Sequence, residues 1–164
     1  MMTRETAELW VVGIEPAPQG SKRYVGGNAA SGGRFIEASK KLEPFRKAIG
    51  QAVIDLMNDT GNLTPFTEPV IVRATFYMPR PKTVKRLWPS VMPDLDKLQR
   101  SLGDSISLPK YCDGNPLLQD DSLIVQWEAQ KVYAEDWQIG VYVQIELARS
   151  PWAFEPLDTP ENNF

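Results

Sequence analysis

The chain contains no histidine and a single cysteine, Cys112. The first absence removes histidine general acid–base catalysis, Ser-His-Asp and Cys-His arrangements, and zinc sites of the usual kind. The second removes a disulfide framework and any thiolate metal cluster. No apolar run approaches the roughly 20 residues that span a bilayer. The first ten residues, MMTRETAELW, lack the charged-then-apolar pattern of a secretory signal. A cytoplasmic, membrane-free protein is the expectation. Catalysis in such a chain has to use carboxylates, lysine, arginine, tyrosine, or a metal held by oxygen ligands.

What is present is ordinary in amount and uneven in distribution. The 164 residues suit one domain with a real hydrophobic core, and 42% hydrophobic with 24% charged residues is a globular balance. The net charge of −3 argues against a polyanion partner until it is divided along the chain. Residues 20–90 carry 12 Lys+Arg against 5 Asp+Glu, whereas residues 91–164 carry 5 against 13. Such a split fits a basic face that meets polyanions and an acidic centre that holds cations. It also fits two charge blocks that fold into mixed surfaces.

Local pattern gives the element order β, α, β, α, β, β. LWVVGIE (9–15) reads as a strand, and the Pro- and Gly-rich stretch to Phe35 reads as a loop without the P-loop pattern. Leu42, Phe45, Ile49, Val53 and Leu56 recur at near-helical spacing and predict a helix over 41–59, with Ser39 and Gly61 near its ends and Pro44 in its first turn. Strands are predicted over 68–78, 122–133 and 139–148. Leu95, Leu98, Leu102 and Ile106 form one stripe of a second helix. The result is an α+β domain over 1–148: a small mixed sheet with two principal helices packed on it. Residues 149–164 read as an acidic, proline-rich, disordered tail.

Two stretches carry chemistry. Between Val70 and Ser90 lie Arg73, Arg80, Lys82, Lys85 and Arg86, no acidic residue, and Trp88. A solvated loop explains this pattern, and so does phosphate contact with stacking on an exposed base. The second stretch is PDLDKLQRSLGD (93–104), followed later by Asp120 and Asp121. Asp94 and Asp96 at a helix start are explained by capping and by the helix dipole. Asp96, Arg100 and Asp104 share a helix face. Crowded carboxylates are costly without a cation, however. If the helix start meets the strand start, Asp94, Asp96 and Asp121 converge on a site suited to Mg²⁺, with Mn²⁺ able to substitute.

The motifs P-x-P-Q-G-S-K-R (16–23), F-Y-M-P-R-P-K (76–82), P-D-L-D-K-L (93–98), Asp104, and D-D-S-L-I-V (120–125) followed by Lys131 occur in this order. The set resembles the RusA family of Holliday junction resolvases, small dimeric endonucleases common in phages and prophages. The resemblance implies a Mg²⁺-dependent homodimer that resolves four-way DNA junctions by paired incisions, without a small-molecule cofactor. It implies that Asp94, Asp96 and Asp121 bind the metal and organise catalysis, with Asp104 and Asp120 as supporting acids. Lys97 stands where the family usually has asparagine, and Arg100 where it has its active-site lysine. Arg100 would stabilise transition-state charge. Lys82, Lys85, Arg86 and Arg80 would contact DNA, with Lys22 and Arg23 as weaker candidates. Two other readings stay open: a weakened or inactive branched-DNA-binding protein, and a metal-dependent nuclease of flaps or single strands.

Overall fold

The computed structural model describes residues 5–20, 22–24, 35–37, 40–60 and 64–150. β1 (Thr6–Val12), β2 (Lys22–Tyr24), β3 (Phe35–Glu37), α1 (Leu42–Asp59), β4 (Val70–Met78), α2 (Leu95–Ser107), β5 (Ile124–Tyr133) and β6 (Gly140–Leu147) follow in order. Four strands form one mixed sheet in the order β1-β6-β4-β5. β4 pairs with β5 in parallel and with β6 antiparallel, and β6 pairs antiparallel with β1. Parallel neighbours need a long crossover, and α2 lies in the connection from β4 to β5. The expected α+β architecture, a small mixed sheet with two principal helices, is what the chain adopts.

Strict alternation fixes which face the helices cover. In β4, Val70, Val72, Ala74, Phe76 and Met78 are buried while their neighbours are half-buried. Ala7, Leu9 and Val11 of β1 and Val141, Val143 and Ile145 of β6 join the same core. Against them pack Leu42, Phe45, Ile49, Val53 and Met57 of α1, and Leu98, Leu102 and Ile106 of α2. Met57 takes the place predicted for Leu56, being one helical repeat beyond Val53; Leu56 is half-buried. Leu95 is also only half-buried, because it opens the first turn. On the opposite face Arg73 bridges Glu128 (2.7 Å) and Glu146 (2.9 Å), tying three strands together.

Three boundaries differ from expectation for physical reasons. β1 starts and ends earlier than 9–15: Thr6, Ala7 and Glu8 pair along β6, and Gly13 turns the chain at φ +81°. The stretch read as one loop contains a two-stranded sheet, β2 with β3. Strands of three residues are too short to show a period of two. β5 begins at Ile124, preceded by a 3₁₀ turn at Asp121–Leu123. Ser39, Gly61 and tail residues 151–164 lie outside the described residues, so those expectations are not addressed.

A register shift between Val70 and Ile71 takes the pairing from Ile124 directly to Gln126. Val125 is left over, exposed, as a bulge. A bulge lets residues three apart share a face, and Ile124 and Trp127 both pack toward Gly103 of α2.

Gly50 of α1 sits against the turn at Pro109–Tyr111, and an added Cβ would overlap the Tyr111 carbonyl. Gly50→Ala is therefore expected to lower stability by about 1–3 kcal/mol despite the better helix propensity of alanine. Urea denaturation checks this; an unchanged or raised midpoint would mean that the helix and the turn separate freely.

Candidate active site

The start of α2 is held from several sides. Its leucine and isoleucine stripe is fully buried, with Leu98, Leu102 and Ile106 all at 0% exposure. The PAPQG segment after β1 runs along it. Ser101 Oγ donates to the Ala17 carbonyl at 2.7 Å, and the Gln19 N–H donates to the Lys97 carbonyl at 3.1 Å. A Cβ on Gly20 would sit 3.4 Å from Arg100 Nη1, so the segment passes close to that guanidinium.

Arg46 of α1 organises the other flank. Its guanidinium donates to Tyr111 Oη at 3.0 Å, hydrogen-bonds Gln19 Oε1, and lies 3.7 Å from Asp104. Both members of the Arg46–Asp104 pair are largely shielded. Asp104 is thereby committed to α1, one helical turn from Arg100 and away from the cleft described next.

That cleft, of about 300 Å³, is lined by Asp96, Gln99, Arg100, Gly103, Asp121, Ile124 and Trp127. Two elements supply its charges: the first two turns of α2 give Asp96 and Arg100, and the 3₁₀ turn before β5 gives Asp121. None of the three forms an ion pair among the described residues. Two unneutralised carboxylates therefore share a concave surface with one guanidinium and an indole.

The five expected acids do not all meet there. Asp94 occupies the N-cap position of α2 with extended backbone, but its side chain makes no capping hydrogen bond. It pairs instead with Lys97, three residues on, at 3.2 Å. Capping by Asp94, expected from sequence, is thus replaced by an exposed ion pair worth less than about 1 kcal/mol. Asp120 caps the 3₁₀ turn, accepting from the Ser122 N–H at 2.8 Å. Hydrogen bonds from the Ser122 side chain and backbone hold its carboxyl below the usual range. Among the described residues no three histidine, cysteine, aspartate or glutamate side chains form a ready cage for a metal. Mg²⁺ does not require one: it keeps several waters and commonly takes one or two carboxylates plus substrate phosphate. Asp96 and Asp121 fit that donor set.

The family of the chain is decided by its length of match. Residues 14–146 match the family described as endodeoxyribonuclease RusA. The chain belongs to that family. No curated protein matches it. The matched span includes both elements that line the cleft, and also the cationic loop that leads into α2.

In that loop Lys82, Lys85 and Arg86 are exposed, as are Leu87 (81%), Trp88 (59%) and Met92 (77%). Arg80 also makes contacts within the loop. Its guanidinium donates to the carbonyls of Val84 (3.3 Å) and Arg86 (3.0 Å), and stacks over Tyr133 at 5.0 Å. The side chains of Lys22 and Arg23 lie outside what the structure describes. Cys112 is buried, donates to the Ser105 carbonyl at 3.2 Å, and burial pushes its thiol up to about 11, so it is packing. No described helix is long and apolar enough to cross a membrane.

Sequence reasoning missed Arg46, Gln99, Gly103 and Trp127. Trp127 had a signal, six residues after Asp121 in a predicted strand, but the bulge that aims it was invisible. Arg46 had none, because its partners stand 27, 58 and 65 positions away. Arg46→Met should cost about 1–3 kcal/mol, since it strands a shielded Asp104 and the Tyr111 hydroxyl. Chemical denaturation reads this directly, and a loss below about 0.5 kcal/mol would mean that solvent replaces those contacts.

Proposed function

We propose that this protein is a Mg²⁺-dependent endonuclease that resolves four-way DNA junctions by paired incisions. The observation that carries the reading is the cleft that Asp96, Asp121 and Arg100 line together, none of them in an ion pair among the described residues. Membership of an endodeoxyribonuclease family supplies the reaction class. The working unit proposed is one nuclease domain over residues 1–148, acting in the cytoplasm of a bacterial host, with a phage or prophage as its source. A homodimer belongs to the same reading, because a two-fold substrate needs two cleavage sites related by a two-fold axis.

Asp96 and Asp121 would hold the metal, with Asp94 as a third donor once its weak, exposed pair with Lys97 is given up. When bound, Mg²⁺ supplies polarisation of phosphoryl oxygen and a more acidic water. The side chains do the rest. Without a bound cation the two carboxylates would repel a phosphodiester, so substrate binding and charge balance would be coupled. Arg100 places a fixed positive charge and two parallel N–H donors against phosphate oxygens as negative charge grows on them. Trp127 and Ile124 keep one wall of the cleft dry, which strengthens these interactions. Asp104 and Asp120 support the site through their own elements, by the Arg46 pair and by the turn that presents Asp121.

DNA would lie along the loop. Lys82, Lys85 and Arg86 meet phosphates, and Trp88 is exposed enough to stack on an unpaired base. Arg80 contributes by keeping the loop in shape. Lys22 and Arg23 are proposed as further DNA contacts from the sequence alone.

Incision of a synthetic four-way junction tests the reading. Wild type should make symmetric, Mg²⁺-requiring nicks, and Asp96→Asn should remove them while junction binding persists. Tight binding without nicks, in Mg²⁺ and Mn²⁺ alike, would favour the inactive binder. Preference for flaps or single strands would replace the junction as substrate.

A second measurement addresses the loop. Neutralising Lys82 and Lys85 together should weaken DNA binding and reduce the slope of log affinity against log salt by roughly 2, at about 0.9 per phosphate contact. An unchanged slope would remove the loop from the interface.

A further inference from the structure

Lys131 belongs to a motif that the proposed chemistry leaves without a task, and its surroundings are specific. It sits in β5 opposite Phe76 of β4. Its side chain points to the helix-covered face, in alternation with Trp127, Ala129 and Tyr133, which pack on the core. Nζ donates to the Val91 carbonyl at 2.6 Å and to the Pro93 carbonyl at 2.7 Å. No carboxylate pairs with it among the described residues. A half-buried ammonium with only carbonyl partners is expensive unless those carbonyls are held in place.

From this geometry we infer that Lys131 is a positioning residue for the cleft: it sets where Asp94 and Asp96 stand relative to Asp121. Of the two carbonyls it holds, that of Pro93 immediately precedes Asp94 and that of Val91 lies three residues before it. The first turn of α2 has no side-chain cap to fix it locally. β5 is the shared reference, since the Asp121 turn opens it and Lys131 lies seven residues inside it. The other end of the loop is moored to the same face, where Arg80 and Arg86 stack over Tyr133 at 5.0 and 5.9 Å. One strand thus follows directly from the turn of Asp121 and anchors the loop that leads to Asp94 and Asp96. The functional part of this inference rests on the nuclease reading above; the anchoring part does not.

Lys131→Met keeps the aliphatic stem and removes the donors, and Lys131→Arg restores charged donors. Hydrogen exchange comes first, as it needs no activity. The Leu98 amide, whose hydrogen bond to the Asp94 carbonyl closes the first α2 turn, should exchange about tenfold faster or more in Lys131→Met, with Leu102 and Ile106 unchanged. Equal exchange in the first turn would overturn the inference, and so would acceleration throughout α2, which signals general unfolding. Mn²⁺ titration followed by electron paramagnetic resonance should show weaker binding in Lys131→Met and recovery in Lys131→Arg. Incision should fall about 10- to 100-fold at saturating junction, with a higher Mg²⁺ requirement and unchanged junction affinity. Faster exchange with unaltered Mn²⁺ affinity and incision would make Lys131 a loop anchor only, against the inference. If wild type cuts no DNA, the nuclease reading falls, and exchange with Mn²⁺ affinity still decides for or against the positioning of the carboxylates.

Discussion

Burial of Leu98, Leu102 and Ile106 under the sheet is the interaction on which the cleft depends. These three residues set the rotation of α2 about its axis. Once they face the core, Asp96 and Arg100 must lie on the flank that looks toward the start of β5. A rotation of one residue, about 100°, would turn Asp96 away from the cleft. The stripe stabilises the helix and aims its charges by the same contacts.

The parallel pairing of β4 with β5 supplies the second half of the site. It obliges the chain to cross over between the strands, and α2 is in that crossover. The end of α2 and the start of β5 therefore return to one region, and Asp121 arrives beside Gly103. The bulge at Val125 adjusts the final approach, letting Ile124 and Trp127 share the cleft side. Edge strands tolerate such irregularity, because only one neighbour has to accommodate it.

Charges on the described elements divide into those with partners and those without. Arg46 and Asp104 neutralise each other in a shielded position, Arg73 is shared by two glutamates, and Asp120 spends its lone pairs on a turn. Among the described residues Asp96, Arg100 and Asp121 form no ion pair, and neither do the exposed loop lysines.

Much of the fold could be read from the chain because periodicity records which side of an element meets the core. The β4 alternation and the α2 stripe are one-dimensional patterns with a direct burial meaning. The Asp94–Lys97 pair was also within reach, since positions three apart on a helix are neighbours. The β2–β3 pairing was not: three-residue strands inside a Gly-rich stretch leave no period to detect. By itself the sequence determined the two helices, the sheet strands and the family. Only the tertiary structure decided that Asp96 and Asp121 share a cleft while Asp104 turns to Arg46, and that Lys131 grips the loop before Asp94. Such pairings join residues 25 to 58 positions apart, and nothing in local spacing says which distant side chains a crossover will bring together.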